Sequence, residues 1–130
     1  MADDVLVDTS IWIDYFQLPQ GAIFEQVTRL LKENRIVFTG VIASELIRGS
    51  HSEKELSVLE TLFRSIRKVV ERETTHLSAG KMGYRLARKG VNSGTVDLLI
   101  SQIAIENNLF LYTHDHHFTM IAKHFPLKLY

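Results

Sequence analysis

Short, β-branched apolar runs alternate with helical segments along this chain, and no other feature constrains its fold as strongly. Residues 5–7, 36–38 and 109–112 each have the composition of a buried strand, and residues 68–70 and 127–129 are weaker candidates. Strands that alternate with helices usually pair in parallel, with right-handed crossovers. The alternation predicts a three-layer α/β/α fold with a mostly parallel central sheet of four to five strands.

The segments between these runs carry helix signals. Ser52 and Glu55 have the spacing of a capping box, and Thr74 and Thr75 could cap the helix that follows them. Gly40 is predicted to break the chain just before the helix over residues 41–48. Helices are predicted over residues 11–16, 23–31, 41–48, 52–65, 75–89, 95–107 and 115–123.

Length and composition narrow the class of protein. With 130 residues, 45% of them apolar, we expect a single domain over residues 1–130. The absence of cysteine excludes disulfides and thiolate metal sites. Asp3 and Asp4 are unlike a basic signal sequence, and no apolar run approaches the ~18 residues of a spanning helix, so we expect a cytoplasmic protein without a membrane partner. Because 15 basic residues balance 15 acidic ones, the chain as a whole does not attract nucleic acid. Any nucleic-acid site must therefore be a local group of residues.

Four carboxylates are placed where a parallel sheet gathers its ligands, at the carboxyl ends of the strands. Asp8 directly follows the first strand and Asp115 follows the fourth, while Glu45 and Asp97 lie in helices. Glu45 is surrounded by apolar neighbours, and Asp97 shares a helix face with Ile100 and other apolar residues, so both are expected to point inward.

These acids have two interpretations. Asp8 and Asp115 could be helix N-caps, and Asp97 a first-turn acid favoured by the helix dipole, but neither role explains Glu45. If the acids converge, two carboxylates ~4 Å apart repel by about 4 kcal/mol at an effective dielectric of 20, so protonation or a cation is required. All-oxygen ligands select Mg²⁺ or Mn²⁺, and the chemistry that follows is phosphodiester hydrolysis.

Four sequence blocks resemble, in order, the motifs of the PIN domains and among them the VapC-type toxins: DTSIWIDYF, ELIRG, DLLISQIA and THDHHF. The resemblance implies a metal-dependent endoribonuclease that acts as the toxin of a toxin-antitoxin pair, with RNA as substrate, a VapB-like antitoxin as partner, and a homodimer. It implies Asp8, Glu45, Asp97 and Asp115 as the catalytic and metal-binding acids. Ser10 and Thr113 occupy hydroxyl positions that in similar proteins hydrogen-bond the carboxylates or a metal-bound water.

Three other functions remain open on the sequence alone. A receiver-like phosphoacceptor domain is also a small α/β protein with acids and Mg²⁺, but here Asp3 and Asp4 precede the first strand. A PIN nuclease of RNA processing would carry the same site without a toxin role. A catalytically inactive PIN fold used for binding is disfavoured by the four intact acids.

Several other residues have both a functional and a structural interpretation. The histidines around Asp115 are expected to be solvated at a helix start rather than to enclose an ion, although His117 could contact an RNA phosphate. Trp12, Tyr15 and Phe16 are expected in the core or at a dimer interface rather than as a base-stacking platform. The basic residues Arg64, Arg67, Lys68, Arg72, Arg85, Arg88 and Lys89 could hold an RNA backbone, although most charged helix faces are simply solvated.

Overall fold

A computed structural model describes residues 3–130 and shows a single parallel sheet with helices around it. Its strands occur in the order β3-β2-β1-β4-β5, and every pair is parallel. This confirms the predicted α/β architecture and resolves its sheet as wholly parallel. The strands are β1 (Val5–Val7), β2 (Ile36–Phe38), β3 (Arg67–Lys68), β4 (Phe110–Tyr112) and β5 (Lys128–Leu129).

All seven predicted helices are present among the described residues, with shifted ends. Gly40 does not break the chain, because it is the first residue of a helix whose N-cap, Thr39, accepts a hydrogen bond from the backbone N–H of Ile42. No helix within residues 3–130 is long and apolar enough to cross a bilayer. The helices are α1 (Thr9–Gln17), α2 (Ala22–Lys32), α3 (Gly40–Arg48), α4 (Glu53–Ser65), α5 (Thr75–Arg88), α6 (Thr95–Glu106) and α7 (His116–Ala122).

The strand order reverses direction between β1 and β4. With right-handed crossovers, this reversal puts α1 to α4 on one face of the sheet and α5 to α7 on the other. Val7 is in register with Tyr112, so β1 and β4 end side by side. The residues that follow these strands therefore meet at the topological switch point, where open parallel sheets bind ligands.

The core lies between the sheet and the two helix layers. All three residues of β1 are fully buried, as expected for a central parallel strand. Trp12 is also fully buried and packs edge-on against Phe63 of α4, with ring centroids 6.4 Å apart. Trp12 is therefore a core residue, whereas Phe16, on the same helix, keeps 43% of its surface exposed.

Helices α5 and α6 form an antiparallel pair connected by residues 89–94. The pair is closely packed because Gly83 has no side chain. A Cβ atom at position 83 would lie only 2.6 Å from Cδ1 of Leu98. Leu98 immediately follows Asp97, so this contact sets the distance between α5 and the part of α6 that carries Asp97.

Candidate active site

Asp8 is the most buried of the four predicted acids, with an exposed fraction of 5%. It occupies the N-cap position of α1, yet its carboxylate accepts no hydrogen bond from that helix's backbone. Its Oδ2 atom instead accepts hydrogen bonds from Ser10 Oγ and Thr113 Oγ1, each at 2.8 Å. For the carboxylate of Asp8, the capping interpretation is therefore wrong.

Thr113 connects the ends of β1 and β4. Its hydroxyl donates to Asp8 and also accepts a hydrogen bond from the backbone N–H of Asp115 at 3.0 Å. Its Oγ1 lies 3.4 Å from Ser10 Oγ. The two hydroxyl residues that were predicted beside the first and last acids thus form one network with Asp8 and with the start of the final motif.

Glu45 lies on α3 and is half-buried. Its Oε1 accepts a hydrogen bond from Thr9 Oγ1 at 2.9 Å, which ties α3 to the first residue of α1. Sequence reasoning missed Thr9, although its position between Asp8 and Ser10 was an available signal. Three consecutive residues of the first motif therefore lie at the site.

Asp97 is half-buried in the first turn of α6. Burial raises the pKa of its carboxyl group, and the negative charges of Asp115, Asp8 and Glu45 raise it further, while His117 acts in the opposite direction. Asp8, Glu45 and Asp115, which are distant from Asp97 in sequence, are thus all close enough to influence its carboxyl group. Asp8, Glu45 and Asp115 therefore all lie near Asp97, and their shared role as catalytic and metal-binding acids stays a prediction.

Asp115 caps α7 and also faces Asp97. Its Oδ1 accepts hydrogen bonds from the backbone N–H of His117 at 3.0 Å and pairs with His117 Nδ1 at 2.8 Å. The backbone hydrogen bond from His117 is the main cause that lowers the pKa of Asp115. For Asp115, the capping role and the site role therefore coexist.

His117 was expected to be solvated, and it is exposed, but it also belongs to the acidic site. One ligand atom from each of Asp97, Asp115 and His117 lies within 4.8 Å of the others. His114 turns away and pairs with Asp14 at 2.8 Å. Only the tertiary contact with Asp97 distinguishes His117 from its neighbours in the same motif.

The remaining oxygens of these acids suit a hard divalent cation. Within residues 3–130, no hydrogen bond reaches the second carboxylate oxygen of Asp8, Glu45 or Asp115, whose first oxygens are held by hydroxyl or N–H donors. One oxygen of each acid is fixed and the other is left for a ligand, which is how supporting hydrogen bonds orient metal ligands. The donor set therefore fits a divalent cation.

An apolar cavity of about 400 Å³ adjoins the acids on the side of Glu45. Thr9 and Glu45 form part of its lining, and the rest comes mainly from α1 and α4, including the half-exposed side chains of Ile13, Phe16 and Val58. Asp3 and Asp4 precede β1 and so lie at the amino ends of the strands, opposite the acidic site, where they pair with Lys128 and Arg67. They take no part in the site.

Comparison with known proteins identifies the family. Ribonuclease VapC11 of Mycobacterium tuberculosis is 28% identical over 123 residues, and the match covers 92% of each chain. Ribonuclease VapC1 of Methanocaldococcus jannaschii is 31% identical over 127 residues, and the match covers 97% of this chain and 86% of the relative. The solved structure of VapBC-1 from nontypeable Haemophilus influenzae is similar, with a TM-score of 0.79, 28% identity and coverage of 97% and 96%. Residues 5–124 match the PIN domain family, so the chain belongs to that family, as its four motif blocks predicted.

Proposed function

We propose that this chain is a Mg²⁺- or Mn²⁺-dependent endoribonuclease and the toxin of a toxin-antitoxin pair. The observation that carries the proposal is the convergence of Asp8, Glu45 and Asp115 on Asp97, whose pKa is raised by burial and then by these neighbouring acids. Such a cluster has an energetic cost that a bound cation removes. The ribonuclease relatives extend over nearly the whole chain, which supports RNA as the substrate.

Asp97 and Asp115 are the proposed primary ligands, with Asp8 and Glu45 completing the carboxylate set. When bound, the cation neutralises the scissile phosphate and activates a water molecule for attack. Ser10 and Thr113 hold the carboxylate of Asp8, and Thr9 holds that of Glu45. These hydroxyls orient the acids before the substrate arrives, so that less reorganisation is required during the reaction.

The test compares RNA cleavage by the wild-type chain and by Asp97→Asn, with Mg²⁺ and with excess EDTA. Cleavage by the wild type is expected to require the cation, and Asp97→Asn is expected to be inactive. Asp4→Asn is the matched control, because it removes the same charge at the opposite, amino-terminal end of the strands. Robust cleavage in EDTA would refute the metal-dependent mechanism.

The proposed partner is a VapB-like antitoxin whose tail lies in the apolar cavity and reaches the acids. The cavity combines exposed apolar side chains with Glu45, so a segment with apolar residues followed by Arg or Lys would complement it. Such a cation would relieve the same carboxylate repulsion as the metal. The test is inhibition by the product of the neighbouring short gene. Phe16→Asp is expected to abolish that inhibition while RNA cleavage persists.

A toxin role is favoured over RNA processing because both named relatives and the similar solved structure carry VapC or VapBC names. Growth arrest on expression, relieved by co-expression of the antitoxin, distinguishes the two. Membership of the PIN family excludes the receiver-like alternative. The homodimer remains a prediction to be measured by light scattering, and Trp12 is too deeply buried to contribute to its interface.

A further inference from the structure

Ser101 carries a buried hydroxyl group that forms no hydrogen bond. The residue lies in the middle of α6 and is fully buried, and its Oγ atom has no partner among residues 3–130. A serine inside a helix often donates to the carbonyl oxygen four residues earlier, which here belongs to Asp97, but Ser101 does not form that bond. Because an unpartnered buried hydroxyl lowers stability, alanine would be the more stable residue at this position unless the hydroxyl has a function.

Asp97 is the complementary case, an acid without a hydrogen-bond donor. Each of the other three acids of the site accepts a hydrogen bond from a hydroxyl or backbone N–H group. In the part of the chain that the structure describes, no such donor reaches the carboxylate of Asp97, although the residue is half-buried. The acid that we propose as a primary metal ligand is therefore the one whose orientation no hydrogen bond fixes.

The geometry of α6 directs the Ser101 hydroxyl towards Asp97. Residues four positions apart differ by about 40° around a helix axis, so the two side chains share one face, and each Cα–Cβ bond tilts towards the helix N-terminus. Asp97 lies in the first turn and Ser101 one turn later, so the hydroxyl points along the helix to the end that carries the carboxylate. Ile100 and Ala104 are both buried on the same face, which therefore faces the interior.

A single water molecule suffices to connect the two groups. Cβ atoms four positions apart on a helix are about 5–6 Å apart, and the short side chains of Ser101 and Asp97 form no direct hydrogen bond. Asp97 is only half-buried, so solvent reaches its side chain. Waters inside proteins typically bridge polar groups that lack other partners, as these two groups do.

Close packing alone does not account for Ser101. A packing requirement for a small side chain on this face would be met equally well by alanine, as it is at the buried Ala104. Alanine at position 101 would fill nearly the same space and leave no unpartnered hydroxyl. The hydroxyl of Ser101 therefore indicates a hydrogen-bonding role beside Asp97.

We infer that the Ser101 hydroxyl, through one bound water molecule, donates a hydrogen bond to the Asp97 carboxylate and orients it for the metal. The inference rests on the proposed function of the acidic site. Ser101 is a positioning residue, because it acts through Asp97 and contacts neither the cation nor the RNA. It gives Asp97 the kind of support that hydroxyl groups give to Asp8 and Glu45.

The first test measures the dissociation constants of Mg²⁺ and Mn²⁺ by titration calorimetry. Ser101→Ala is expected to bind either cation about tenfold more weakly than the wild type, because loss of a supporting partner typically weakens metal affinity by about 10- to 100-fold. Thr28→Val is the matched control. The Thr28 hydroxyl is also buried without a partner in the described chain, but it lies on α2, which carries none of the four acids. Equal metal affinity of Ser101→Ala and the wild type would overturn the inference.

A double-mutant cycle in EDTA provides a readout that needs no metal. Ser101→Ala should lower the melting temperature when position 97 is aspartate but not in the Asp97→Ala background, where the hydroxyl has no carboxylate to support. A purely structural serine would give the same shift in both backgrounds, and an unused hydroxyl would give a higher melting temperature in both. Either of these two results would overturn the inference.

A high-resolution crystal structure of the wild type tests the same link without any variant. Density is expected for a water molecule within hydrogen-bonding distance of both Ser101 Oγ and a carboxylate oxygen of Asp97. A hydroxyl that donates instead to the carbonyl oxygen of Asp97, or that packs against apolar atoms with no water beside it, would overturn the inference.

These measurements separate the role of Ser101 from the proposed function of the site. A wild type that binds neither cation would refute the metal-dependent mechanism. Cation binding that Ser101→Ala leaves unchanged would refute the role of Ser101 alone. RNA cleavage by Ser101→Ala should also recover at saturating Mg²⁺, because the substitution weakens metal binding and leaves the fold intact.

Discussion

Thr113 Oγ1 donates a 2.8 Å hydrogen bond to Asp8 Oδ2 and so joins two residues that are 105 positions apart in the chain. The bond spans the topological switch point, because Asp8 follows β1 and Thr113 follows β4. It holds the most buried acid of the site in a fixed orientation. The same hydroxyl accepts a hydrogen bond from the backbone N–H of Asp115. One side chain therefore contacts both Asp8 and Asp115.

Thr113→Val is expected to weaken both stability and catalysis. The substitution keeps the shape of the side chain but leaves Asp8 with one donor fewer and the N–H of Asp115 without its acceptor, at a cost of about 1–3 kcal/mol. Loss of a supporting partner typically reduces metal affinity or activity by about 10- to 100-fold. Urea unfolding and RNA cleavage measure the two effects, and Thr113→Ser, which keeps the hydroxyl, should behave much like wild type. Full activity of the valine variant would show that Ser10 alone suffices.

Asp97→Asn is expected to remove most of the stabilisation that the wild type gains from Mg²⁺. The wild type should gain about 2.7 kcal/mol of unfolding free energy when Mg²⁺ is present at a hundredfold excess over its dissociation constant. The variant should gain far less, because a neutral amide is a poor ligand of nearly the same shape. Thermal melts with and without Mg²⁺ measure the difference, with Asp4→Asn as the control. Equal metal stabilisation of the wild type and Asp97→Asn would remove Asp97 from the ligand set.

The metal-free protein is expected to become less stable as pH rises, because the Asp97 carboxyl group loses its proton. The folded state raises the pKa of Asp97 above its ordinary value of 3.8, mainly through burial and then through Asp115 and Asp8. An acid with a raised pKa binds its proton more tightly in the folded state than in the unfolded state. Its contribution to the free energy of unfolding is therefore fully present below its unfolded-state pKa and is lost as pH rises through its folded-state pKa. In EDTA, Asp97→Asn should therefore gain stability relative to wild type as pH rises from about 4 upward. A difference that stays constant over this range would contradict the shift.

Two glycines of α5 are expected to respond differently to alanine. A Cβ atom at position 80 would meet no neighbouring side chain within 4 Å, so Gly80→Ala should stabilise the helix by about 0.5–1 kcal/mol. Gly83→Ala should gain less or lose stability, because the new Cβ meets Leu98 at 2.6 Å. Any displacement of Leu98 also moves the turn that carries Asp97, so Gly83→Ala should reduce RNA cleavage while Gly80→Ala does not. Equal effects of the two substitutions would show that Leu98 simply rotates aside.

The sequence by itself determined the alternation of elements, the parallel sheet and the four acids. Buried parallel strands require continuous apolar runs, and these can be read directly in the sequence around Val5 and Ile36. The acids could be predicted because ligands gather where parallel strands end, and because Glu45 and Asp97 lie among apolar neighbours that are unusual for solvated carboxylates.

Only the tertiary structure decided how each acid is held. Asp8 and Asp115 both occupy N-cap positions, yet only Asp115 caps its helix, because Ser10 and Thr113 take the carboxylate of Asp8. Thr9 and His117 gained their roles from contacts with Glu45 and Asp97, which are far from them in sequence. Local patterns report burial and helix ends, but the partner of a side chain depends on which strands and helices become neighbours.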